Sequence, residues 1–154
     1  MDTNALIEAH RVGAWRALSR GYGLETVETC LAELGTGHRA PPTDVLKATR
    51  ADLAAVHEVA PAQRAMLALR EGPALDEGER DLWAHALTRA DGWVLCGPDT
   101  ASMRWGFENG FRDRLVSFGR MVNDIGLRPR IPLRPQFEPA WLDEVMRKCA
   151  LGIL

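Results

Sequence analysis

Trp93-Val94-Leu95-Cys96-Gly97-Pro98-Asp99-Thr100 decides how this chain folds. Four apolar residues in a row read as a strand covered on both faces. Gly97-Pro98 ends that strand, and Asp99-Thr100 starts a helix that runs to about Asn109, with Gly110 at its end. Asp91-Gly92 supplies the turn before the strand. Upstream, Asp76-Glu77-Gly78-Glu79 opens a helix whose buried stripe is Leu82, Trp83, Ala86 and Leu87. Downstream, Leu115 to Phe118 reads as a last short strand.

The same alternation holds toward the amino terminus. Residues 5–19 carry Leu6, Ala9, Val12, Trp15 and Leu18 at helical spacing, and Gly21 and Gly23 end that helix. Tyr22 to Val27 reads as a strand, and Thr29 to Leu34 as a short helix with Glu33 on its second turn, stopped by Gly35 and Gly37. Pro41-Pro42-Thr43 opens a helix over 43–59, with Leu46, Leu53, Val56 and Val59 as its apolar positions. Pro61 opens another, to about Arg70, broken by Gly72-Pro73. Strands alternating with helices imply an α/β fold with a parallel sheet and right-handed crossovers.

The tail has a different composition. Pro129, Pro132, Pro135 and Pro139 interleave with Arg128, Arg130 and Arg134, which makes 127–154 an extended arm followed by a final helix. Trp141, Leu142, Val145, Met146 and Cys149 share one face of that helix. Such a face packs on its own domain, here residues 1–126, or forms a homodimer contact.

At 154 residues, 46% hydrophobic and 26% charged, the chain has the material for one core and is not a disordered chain. No apolar run reaches the length of a membrane span, and no basic stretch followed by an apolar one marks a secretory signal. Cys30, Cys96 and Cys149 are odd in number and scattered, which fits a reducing cytoplasm and buried apolar roles. The net charge of −2 excludes a simple basic clamp for nucleic acid. Its distribution is uneven: residues 1–100 carry 10 Lys+Arg against 15 Asp+Glu, and 101–154 carry 9 against 6. Such asymmetry fits ordinary surface scatter, or an acidic metal site beside a basic strip for a polyanion.

Asp2, Glu33, Asp81 and Asp99 each stand where an apolar stretch gives way to a turn or a helix. In a parallel α/β fold those positions converge on one edge of the sheet. Asp81 and Asp99 are 18 residues apart, and a helix, a turn and a strand fill that interval and return the chain to the same side. Gathered carboxylates repel one another unless something positive neutralises them. Their oxygens suit Mg²⁺ or Mn²⁺, and such a site suits phosphodiester chemistry. An N-cap role competes for Asp99. Other templates are absent: there is no GxxxxGK loop, no GxSxG elbow and no HExxH helix. His10, His38, His57 and His85 show no ligand spacing, and His85 reads as an ordinary helix residue.

On these residues the chain resembles the PIN-domain nucleases, including the VapC-like toxins. The resemblance rests on Asp2-Thr3-Asn4 followed by Ala5-Leu6-Ile7. It continues through Val27 to Glu33-Leu34, then Leu75 to Asp81, the strand Trp93 to Cys96, and Asp99. It covers about residues 2 to 126. It implies a three-layer α/β/α fold around a short central parallel sheet. It also implies cytoplasmic, Mg²⁺- or Mn²⁺-dependent hydrolysis of single-stranded or loop RNA, as in toxin–antitoxin systems. Asp2, Glu33, Asp81 and Asp99 would be the catalytic, metal-binding acids, with Glu79 competing with Asp81 for the third place. Asn4 and Thr100 would be polar supports. Arg104, Arg112 and Arg114 are the arginines placed to hold RNA phosphates. Trp105 reads as core. In the family the first acid ends the central strand, whereas only Met1 precedes Asp2 here. Either the natural chain begins upstream or another segment fills the gap. The alternatives are a degenerate domain that binds RNA or protein without cutting, and a toxin held inactive by an antitoxin-like partner.

Overall fold

A computed structural model describes residues 1–36 and 41–154; Gly37 and His38, named above, lie outside the described residues. The fold is mixed α/β, 58% helical, with two small parallel sheets of two strands each.

Helix α1 (Thr3–Arg11) starts at Asp2, whose carboxylate accepts the Asn4 amide at 2.9 Å. The helix expected over 5–19 is two helices, because Gly13 takes a left-handed φ of 71° and the Ala14 amide reaches back to the Ala9 carbonyl at 2.8 Å. The chain resumes as α2 (Trp15–Gly21), then β1 (Glu25–Val27) and α3 (Glu28–Thr36). Helix α4 (Thr43–Asp52) stops well short of residue 59. The Trp15 indole holds the Asp52 carboxylate at 2.9 Å, and the Ala54 amide donates to the Leu24 carbonyl at 2.8 Å. These tertiary bonds pull Ala55–His57 out as strand β2, parallel to β1 in the register Glu25↔Ala55, Thr26↔Val56, Val27↔His57. Leu53, Val56 and Val59 are spaced by three, which imitates a helix in sequence.

Helices α5 (Pro61–Ala68) and α6 (Glu77–Ala86) follow, then β3 (Leu95–Cys96) and α7 (Thr100–Glu108). Strand β4 (Leu115–Val116) pairs parallel with β3, Leu95 to Leu115 and Cys96 to Val116. Helices α8 (Phe118–Asp124) and α9 (Pro139–Ala150) complete the chain. Side chains along β3 and β4 alternate between two apolar clusters. Cys96 and Val116 join Leu6, Leu18, Leu34 and Phe118, while Leu95 and Leu115 join Trp83, Met103, Trp105 and Met146. Trp105 is core, packed on Trp83 with ring centres 4.8 Å apart.

The expected continuous central sheet is replaced by two half-sheets with Met1–Asp2 between them. The Met1 ammonium donates to the Glu25 carbonyl at 2.7 Å, the Thr26 hydroxyl donates to the Met1 carbonyl at 2.8 Å, and the Asp2 amide donates to the Cys96 carbonyl at 3.0 Å. Beyond Met1 the facing edges leave a cavity of about 430 Å³, walled by residues 22–26 on one side and 91–96 on the other.

The tail packs onto the rest of the chain. Buried Glu8 receives the Arg134 amide at 3.0 Å and the Arg11 guanidinium. Phe137 meets Phe118 edge to face at 5.9 Å. Leu142, Val145 and Met146 of α9 are buried in the cluster that holds α7, so the apolar face of that helix covers its own chain.

Candidate acidic site

The amino-terminal turns of α1, α6 and α7 come together beside the carboxyl end of β3. Each of the three helices is capped by an aspartate. Asp2 caps α1, Asp76 caps α6 and Asp99 caps α7, the last accepting the amides of Ala101 and Ser102 at 2.7 and 3.0 Å. An aspartate cap accepts orphan amides and complements the positive end of the helix dipole. Asp76 and Glu79 form a capping box, with the Glu79 amide on Asp76 at 2.8 Å and the Asp76 amide on the Glu79 carboxylate at 3.0 Å.

Beyond their capping bonds these acids face one another. Glu79 is 5% exposed, and its carboxyl lies close to that of Asp99. Burial, with Asp99 and Asp76 close by, pushes Glu79 up to about 8, so at neutral pH Glu79 keeps its proton. Burial also raises Asp2 to about 6, with Asp76 and Glu33 adding to the effect. Glu33 reaches in from α3 and takes the Thr3 hydroxyl at 2.7 Å. Its carboxylate lies across Gly78, where an added β-carbon would stand 2.8 Å from both Glu33 oxygens. At Gly97 an added β-carbon would stand 3.2 Å from that of Asp2. Gly78 thus leaves the room that the Glu33 carboxylate occupies, and Gly97 lets Asp2 approach closely.

Of the acids expected from sequence, Asp2, Glu33, Glu79 and Asp99 are brought together, and Asp76 joins them. Asp81 is not among them. Two residues past Glu79 on a helix is about 200° around the axis. Asp81 therefore faces α5, where the Arg64 guanidinium grips it at 2.6 and 2.7 Å and the Thr29 hydroxyl donates to it. Arg64 holds Asp81 below the usual carboxylate range. Thr100 follows the cap of α7, and Asn4 is exposed in the first turn of α1, so both lie at the site's edge. The arginines are elsewhere. Arg104 is paired with Glu108 at 2.7 Å. Arg112 and Arg114 follow the far end of α7, about 13 Å along its axis from Asp99. There Arg112 sits against α9 and Arg114 lies over the Trp93 ring at 5.4 Å.

Carboxylate oxygens are the hard donors that Mg²⁺ or Mn²⁺ takes, so the residues fit such an ion chemically. The carboxylates do not, however, close to a compact set of three. Among the described residues, three donors lie within 4.8 Å of one another at Glu25, His57 and His85 instead. Sequence reading missed that group because its members come from two strands and a helix, with no short spacing to mark them. The buried thiols are not nucleophiles: burial pushes Cys30 up to about 11 and Cys96 up to about 12. No described helix is long and apolar enough to cross a membrane.

No protein-family model, no curated protein and no solved structure matches this chain.

Proposed function

We propose that the chain is a Mg²⁺- or Mn²⁺-dependent ribonuclease acting on single-stranded or loop RNA, in a PIN-like α/β/α arrangement. The observation that carries this reading is the convergence of Glu79 and Asp99 with Asp2, Glu33 and Asp76 beside the carboxyl end of β3, where burial raises Glu79 to about 8 and Asp2 to about 6. A cluster of acids that needs protons to coexist is a cluster that a dication relieves.

Asp2, Glu33, Glu79 and Asp99 would hold the ion. When bound, it supplies Lewis-acid stabilisation of charge developing on a phosphodiester. The chain's own residues do the rest. Thr3 orients the Glu33 carboxylate, and the Ala101 and Ser102 amides orient Asp99. Glu79, raised to about 8, would have to be deprotonated to ligate, so ion uptake would be coupled to proton release.

The test is cleavage of a fluorescent single-stranded RNA with and without Mn²⁺. Cleavage should require the metal and fall at least 100-fold in Asp99→Asn. Equal cutting by the variant, or none by the wild type, ends the enzyme reading. The second reading is a binding module without catalysis, favoured by carboxylates that do not close around one point and by arginines that stand away from them. Calorimetry with Mn²⁺ separates the two, because a catalytic site takes up the ion.

A further inference from the structure

At the other end of α6 lies a group of different chemistry. His85 is in the last turn of α6, Glu25 opens β1, and His57 closes β2. The register Val27↔His57 puts His57 on the same strand face as Glu25, two residues from Val27. The His57 Nε2 stands 2.7 Å from the Glu25 carboxylate, and the His57 and His85 rings stack with centres 3.9 Å apart. The His85 Nε2 is buried and has no hydrogen-bond partner. A buried polar atom left unpaired costs free energy, and native structures seldom carry one without a reason.

We infer that Glu25, His57 and His85 form a Zn²⁺-binding site, separate from the acidic one. Two imidazole nitrogens and one carboxylate oxygen, all within 4.8 Å of one another, match the donor set of a three-ligand zinc centre and are near enough to converge on one ion by side-chain rotation. Imidazole selects a borderline ion over Mg²⁺ or Mn²⁺. The unpartnered His85 Nε2 supplies a lone pair with no competing donor. The donors come from two paired strands and a helix packed on them, so the frame is set by the fold and not by a loop.

The charges around the group decide which ion can enter. Arg89 pairs with Glu25, and the Met1 ammonium binds the Glu25 carbonyl at 2.7 Å. Both oppose a dication. Arg89 also grips Asp91 at 2.8 and 2.5 Å, so it keeps a carboxylate partner when Glu25 turns to a metal. The remaining opposition favours an ion with strong bonds to nitrogen, as zinc has. The 430 Å³ cavity has Glu25, His85 and Arg89 in its wall. It is open to water or a small anion.

The experiment titrates the EDTA-stripped full chain with ZnCl₂ by calorimetry and counts zinc after dialysis. The wild type should retain one Zn²⁺ per chain in the presence of excess Mg²⁺. Affinity should fall at least tenfold in His57→Gln and in His85→Gln, and stay unchanged in Asp99→Asn, which alters only the acidic site. The wild type also reports directly by NMR, since Zn²⁺ should move the ring resonances of two of the four histidines. Failure of the wild type to retain zinc overturns the site. So does equal affinity in a folded His57→Gln/His85→Gln double variant, or immobile His57 and His85 resonances. None of these outcomes bears on Mn²⁺-dependent RNA cleavage, so the two readings fail separately.

Discussion

The Asp2 amide donates to the Cys96 carbonyl at 3.0 Å, tying the second residue of the chain to the last residue of β3. That bond does two things. It sets Asp2 at the carboxyl end of the strand, beside Gly97 and within reach of the acids on α3 and α6. It also makes Met1–Asp2 the only bridge, among the described residues, between the paired edges of β1 and β3.

An extended segment placed ahead of Met1 should therefore enter the cavity and pair with both edges. Fusing a short Val/Ile-rich segment upstream is expected to raise stability by about 2 kcal/mol or more, the contribution of burying one or two apolar side chains. A Gly/Ser segment of equal length should leave it unchanged. Urea unfolding of the two fusions against the unextended chain decides the matter.

Protonation gives a second prediction. Asp2 and Glu79 have folded-state values of about 6 and about 8, above their ordinary 3.8 and 4.5. Between those values the native state binds more protons than the unfolded chain, so stability falls as pH rises. The metal-free protein should lose stability from about pH 4 to pH 8. Glu79→Gln mimics the protonated form and keeps an acceptor for the Asp76 amide. It should melt roughly 2–4 °C above wild type at pH 8, the shift for about 1 kcal/mol in a chain of this size, and level with it at pH 4. Thermal melts in EDTA at both pH values test this.

Asp81 serves the fold rather than the acidic site. Asp81→Asn should cost about 1–3 kcal/mol by weakening a buried, charge-assisted hydrogen-bonded group. It should leave Mn²⁺ affinity within a factor of two. Chemical denaturation gives the first quantity and calorimetry the second. A large loss of Mn²⁺ binding in a folded variant would return Asp81 to the site.

Gly78 offers the converse separation. A methyl there would meet the flexible end of Glu33 at 2.8 Å, so Gly78→Ala should change stability by less than about 1 kcal/mol while displacing Glu33. Mn²⁺ binding should weaken at least fivefold, read by the same calorimetry.

Local signals in the chain were legible where local chemistry decides the outcome. Gly97-Pro98-Asp99-Thr100 ends a strand and caps a helix, and it does so in the structure. Asp76-Glu77-Gly78-Glu79 builds its own capping box. Those two stretches, with Asp2 and Glu33, are most of the acidic site. Val56 and His57 were illegible because their spacing fits a helix, and only pairing with Thr26 and Val27 draws them into a strand. Asp81 misled for a related reason. Its distance along the chain from Asp99 is right, but its angle around α6 delivers it to Arg64.

The sequence by itself determined the turn at Gly97-Pro98, the helix caps at Asp76 and Asp99, and the β3–α7 passage, because turns and caps are set by residues a few positions apart. Tertiary structure alone decided that Glu79 and not Asp81 meets Asp99, that the sheet divides around Met1–Asp2, and that two distant histidines stack beside Glu25. Those outcomes depend on helix rotation and strand register, which side chains far apart in the chain settle only when they pack.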